Sequence, residues 1–241
     1  MVPERPTTVD ALPAALRGFP YADSAVRAPS SHRHVSDERR PIMPLRMSPA
    51  PAPALRSLLD ALGSPAAGIT GAPRPDLPLP IHEIARVGQR QGPPSTRLTG
   101  WRFLLRDRPP GAADGAGDAQ AVVVGAAEVM MSAEGWSFAH FREGPYVSST
   151  ERAMEQAGAL PLPYQPRLLS VPELYMLTLW LHGDADADPA EGSPAASDLL
   201  IPLAPAPPGI AAHQPHRVDA LLPLLTHRLV ASSSPLLGTA V

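Results

Sequence analysis

The densest group of reactive side chains in this chain is the run His140, Phe141, Arg142, Glu143, Gly144, Pro145, Tyr146. An imidazole, a guanidinium, a carboxyl and a phenol meet there. A neutral His140 lining a pocket beside Glu143 has the reach and the pKa range for general acid–base work. The plainer reading is a half-buried histidine next to a turn. Nothing else in the sequence fixes a partner for the imidazole, so no catalytic role is assigned. His140, Arg142, Glu143 and Tyr146 stand as a candidate pocket.

Other reactive groupings are weaker. Asp184, Asp186 and Asp188 have the alternate-acid spacing that wraps a calcium ion. Pro189 then falls where the loop needs glycine and Ala195 where it needs a bidentate glutamate, so a solvated acidic loop is the reading adopted. His213 and His216, with His227 beyond, have no carboxylate partner nearby and read as surface histidines rather than metal ligands. His32, Arg33, His34, Arg39, Arg40 and Arg46 form a mildly basic stretch, net +3 between Arg27 and Arg46. It lacks the charge density and interleaved aromatics of a nucleic-acid binder. Ser148, Ser149 and Thr150 read as N-cap oxygens for a helix. No Gly-x-Ser-x-Gly elbow and no Gly-x-Gly-x-x-Gly after a strand is present, so neither metal nor cofactor is expected.

Composition excludes further classes. There is no cysteine in the 241 residues, which removes disulfides, thiolate nucleophiles and cysteine-ligated metals. All 20 basic residues are arginine, so a lysine-dependent phosphate loop is impossible. A net charge of −3 gives no field that would draw the chain to nucleic acid or an anionic membrane. The longest apolar run, Leu168 to Leu181, is interrupted by Pro172 and Glu173 and is too short to span a bilayer. The start of the chain lacks a signal-peptide core, so a cytoplasmic location is expected.

Proline sets the expected organisation. Residues 1–79 hold fourteen prolines, whereas residues 120–158 hold only Pro145. Residues 1–79 therefore read as a largely disordered leader. Leu55, Leu58, Leu59 and Leu62 repeat at helical spacing inside it, predicting a short amphipathic helix near 54–62 that needs another surface. A core domain is expected over 80–205. Its first strand, Trp101 to Arg106, leads through a loop at Pro109 to Asp118 into Ala121 to Met131 and then Trp136 to Arg142. Strict alternation there puts Trp136, Phe138 and His140 on one face. A helix from Ser148 to Gly158 follows, then strands at Arg167–Val171, Leu174–Leu181 and Asp198–Leu203, with a polar loop over 183–197. The tail, 206–241, carries an amphipathic helix near 219–230, with Pro223 tolerated in its first turn.

The expected fold is α+β: an antiparallel β-sheet meander with one principal helix packed on one face, flanked by Pro-rich, largely disordered arms. If the one short helix leaves part of the aromatic face of Trp101, Phe103, Trp136, Phe138 and Trp180 bare, the remainder must meet the arm helices, a second subunit or a ligand. The leading functional expectation is thus a non-enzymatic interaction module, with a protein partner or a second copy. Membrane insertion and nucleic acid are not expected. The alternative is a small-molecule-binding protein or enzyme with a pocket between sheet and helix near His140.

Overall fold

The computed structural model describes residues 45–64, 71–84, 95–107 and 121–232, with side chains through 228. The basic stretch before Arg46, the loop at Pro109 to Asp118 and the side chains of Leu229 and Val230 lie outside the described residues. The described residues belong to one unit, Arg39–Val241.

The elements run α1 (Ala52–Leu62), β1 (Arg74–Ile84), β2 (Thr96–Asp107), β3 (Val122–Ser132), β4 (Gly135–Arg142), α2 (Pro145–Gly158), β5 (Gln165–Val171), β6 (Met176–His182), β7 (Leu199–Pro202), β8 (His216–Arg217) and α3 (Val218–Ser232). The class is α+β, with a mostly antiparallel sheet. Its order is β4-β3-β2-β1-β5-β6-β7-β8, so two four-stranded meanders lie side by side. They join where β5 pairs parallel to β1, Ile81 opposite Leu168. A parallel join needs a crossover, and α2 supplies it.

β1 occupies residues whose proline density points to a leader. Pro75 and Pro78 are accommodated because β5 pairs only with Ile81–Glu83, leaving the first part of β1 bonded on one side, to β2 alone. A proline nitrogen facing an unpaired edge breaks no ladder bond. The register also slips between Asp76 and Leu79, where Leu77 takes a φ of 45°.

Three helices of the described residues, the principal one and the two arm helices, pack on the sheet, and they do so on both faces. Trp101, Phe103, Leu105, Ala127 and Val129 share a core with Ala54 and Leu58 of α1. On the same face, Leu169, Val171, Trp180 and Leu200 pack with Val218, Leu221 and Leu225 of α3. Residues of the opposite parity, Leu79, Leu168, Leu179, Leu181 and Ile201, pack with Ala153, Met154 and Ala157 of α2. Burying one leucine such as Leu58 contributes about 1.5–3 kcal/mol, which fixes a short helix that would melt alone. Trp101 is 1% exposed, Phe103 2% and Trp180 0%. Of the covers open to the aromatic face, the two arm helices α1 and α3 are the ones that meet it along these strands. No helix of the described residues is long and apolar enough to cross a membrane.

α2 begins earlier than its serines suggest. Gly144, with φ of 94°, turns the chain out of β4, and Pro145 takes the first helical position without any side-chain cap. Ser149 is instead buried: its hydroxyl accepts the Ala204 N–H at 2.7 Å and lies 3.2 Å from His213 Nε2. α3 begins at Val218, so Pro223 is its sixth residue and lies inside the helix rather than in the first turn, where it removes one intrahelical bond.

The loop after β6 is polar yet held. Arg167, fully buried on β5, donates to the Asp188 carbonyl at 2.9 Å and to that of Glu191, and its guanidinium lies 4.8 Å from the Trp180 ring centre. The carboxylates of Asp184 and Asp188 accept the N–H groups of Asp186 and Ala190. They are spent on the loop's own turns. Among the described residues no three potential ligands gather around a metal position.

Candidate functional site

Part of the α2 face is left open. A cleft of about 490 Å³ lies there, lined by residues of β1 to β4, the start of α2 and the β5–β6 turn. Its floor carries a charged cluster that no long-range sequence pattern announces. Arg102 of β2 and Glu128 of β3 are register partners, and each side chain is only 6% exposed. Arg102 Nε donates to Glu128 Oε1 at 2.9 Å, and Nη2 donates to the same oxygen. Arg142 of β4 adds its Nε to Oε1 at 3.1 Å.

His140 comes from the neighbouring strand. Its Nε2 lies 3.0 Å from Glu128 Oε2, an ion-pair distance, though without the alignment a hydrogen bond needs. Strict alternation would have sent it to the Trp136 and Phe138 side. The register shifts between Glu128 and Val129, so that Glu128 faces His140, Val129 faces Phe138, and Ala139 has no partner of its own. This bulge resets the parity. Phe138 and Phe141 then lie together, ring centres 4.5 Å apart, on the α1 side, while His140 turns to the cleft with Arg142.

Burial would raise the pKa of Glu128, but the Arg102 charge and its hydrogen bonds, with help from Arg142 and His140, hold it below the usual glutamate value. Glu128 is therefore an anion across the ordinary pH range. A carboxylate so held is a poor general acid, and three donors on Oε1 beside its lowered pKa make it a poor base. Two arginines face this single carboxylate, and Arg102 Nη1 has no acceptor although it is buried. Glu83, also on the lining, is taken by Arg97 at 3.2 Å.

The other wall is apolar, formed by Pro172, Met176 and Leu177 with Tyr175 at its edge. Tyr175 follows a single 3-10 turn, Pro172–Leu174, and takes a left-handed φ of 49°. Its side chain is 89% exposed. Tyr146 ties this wall to α2, its hydroxyl lying 2.9 Å from the Tyr175 carbonyl and 3.0 Å from that of Pro205. Gly100 lets β2 and β3 pack closely beside the cleft: a Cβ there would come 2.6 Å from Met130 Sδ and 2.5 Å from the Val129 carbonyl.

Of the four residues singled out in sequence, three line this cleft: His140, Arg142 and Tyr146. Glu143 does not. It lies past the end of β4, exposed, in a separate depression of about 160 Å³ with Val123, Gly144 and Glu151. Sequence reasoning missed Arg102 and Glu128. A signal existed, since an acid inside the apolar run Val122 to Met131 and an arginine between Trp101 and Phe103 must each find a buried partner. A second hollow, of about 440 Å³, lies around Arg74, Asp76 and Arg106, but there Arg106 is spent on Asp76 and Glu151.

No protein-family model matches the chain, and neither a curated protein nor a solved structure matches it.

Proposed function

We propose that this chain is a small-molecule-binding protein whose ligand occupies the cleft between Arg142 and Tyr175. The observation that carries the reading is the ion cluster on the cleft floor. Arg102 and Glu128 are desolvated there at a cost of several kcal/mol, beside a concavity of the size that holds small ligands. A charged cluster of this kind orients a polar ligand group, and the apolar wall supplies burial. Binding is favoured over catalysis because Glu128 is locked as an anion and Thr99, a hydroxyl on the lining, is bonded to the Ile81 carbonyl at 3.2 Å.

The docking role rested on an apolar sheet face left partly bare, and Trp101, Phe103 and Trp180 of that face are buried within this chain. What remains for that reading is the outer face of the two flanking helices, where Leu55 and Leu59 of α1 and Leu224 of α3 stand exposed.

The test is a fragment library screened by ligand-observed NMR against the parent and a Ser170→Trp variant, which fills the cleft from β5. Fragments that bind the parent and are lost from the variant support the reading. An identical set of binders for both proteins, or no binder at all, contradicts it.

A further inference from the structure

We infer that the ligand of this cleft carries a carboxylate at one end of an apolar body, the carboxylate seated on Arg142 above Arg102. The inference rests on the cleft being a ligand site, and it names the chemistry that the site selects. Charge balance is the first ground. Arg102 and Arg142 share one carboxylate, Glu128, and the other acid on the lining, Glu83, is paired with Arg97. One positive charge on the floor is left without a counter-ion among the described residues.

The second ground is the state of the donors. Arg102 Nη1 is buried, in a side chain 6% exposed, and meets no acceptor. A buried guanidinium donor left unsatisfied costs more than a neutral one. Arg142 is about half exposed and spends only Nε on Glu128, so its two terminal nitrogens present the forked geometry that a carboxylate fits bidentately. The third ground is the division of the walls. Charge lies on the β1 to β4 side, where Glu83 is already paired with Arg97, whereas Pro172, Met176 and Leu177 offer carbon and sulfur beside the exposed Tyr175 ring, with Ser170 the other polar side chain there. An anion without an apolar body would leave that side wet.

The probe pair is 4-phenylbutyrate and its neutral amide, with inorganic phosphate as a third ligand. Each is titrated by calorimetry and followed by protein-observed NMR on the full chain. The acid is expected to shift the Arg142 and His140 side-chain signals and to bind about tenfold or more tightly than the amide, as charge-assisted hydrogen bonds imply. Arg142→Gln, which leaves the Arg102–Glu128 pair intact, is expected to weaken the acid about tenfold and leave the amide unchanged.

Equal affinity for acid and amide at the cleft overturns the carboxylate and leaves the ligand site standing. Binding of other fragments while neither probe binds has the same consequence. Phosphate binding as tightly as the acid removes the apolar body from the inference. If no fragment of any charge enters the cleft, the ligand site itself falls.

Discussion

Arg102 and Glu128 stand opposite each other on adjacent strands, Nε to Oε1 at 2.9 Å, in the interior of the sheet face that α2 only partly covers. Removing one partner strands the other's charge in a poorly solvated site. Glu128→Met is therefore expected to destabilise the protein by about 3–5 kcal/mol, and Arg102→Met by a comparable amount. The double variant Arg102→Met, Glu128→Met is expected to recover most of that loss, because no buried charge remains unpaired. Chemical denaturation of the four proteins gives the cycle. Additive losses would mean that the pair is not coupled.

Acid should destabilise the protein through His82. Burial, with the nearby Arg167 and His182 charges, lowers its pKa from 6.5 to about 4 against the opposing pull of the Pro189 carbonyl. In the unfolded chain His82 takes up a proton near 6.5, while the folded chain refuses it until about 4. The unfolded state thus binds more protons across that window, and stability falls as the pH drops through it. The loss from His82 is on the order of 3 kcal/mol. Denaturation midpoints measured from pH 7 to pH 4 should show the slope in the parent and a shallower one in His82→Gln. Equal slopes would remove His82 as the cause.

How far the sequence reveals this architecture differs element by element. Leucine spacing points to α1 and the period of two to β2, β3 and β4, because those patterns are local. β1 is hidden behind Pro75, Pro78 and Pro80, whose tolerance depends on where β5 stops pairing. That is a tertiary fact. The side to which His140 points depends on one unpaired residue, Ala139, and no composition rule marks a bulge. Arg142 and Tyr146 are near His140 in sequence and share its cleft; Arg102 and Glu128 reach it from other strands.

Tyr175 adopts a left-handed conformation that costs a bulky residue about 1–2 kcal/mol, yet its ring is 89% exposed and gains little burial. Tyr175→Gly is expected to leave thermal stability equal to the parent or higher by up to about 1 kcal/mol, since glycine's unfolded-state entropy offsets part of the relief. The same variant is expected to weaken binding of aromatic fragments at the cleft. A clear fall in stability would show that the ring is held by packing.

Arg167 should govern the order of the loop that follows β6. Replacing it with leucine removes the donors to the Asp188 and Glu191 carbonyls and is expected to cost about 2–4 kcal/mol. Hydrogen exchange of residues 184–192 should rise more than that of β2 and β3. Uniform exchange across the chain would place the effect in global stability alone.

The central claim is that the floor of Arg102, Glu128, His140 and Arg142 receives a ligand, and crystals soaked with a mixed fragment set test it most directly. We expect bound fragments to gather between Arg142 and Tyr175, with an acidic group on the Arg142 guanidinium. Fragments that gather elsewhere while this cleft takes up none would contradict it.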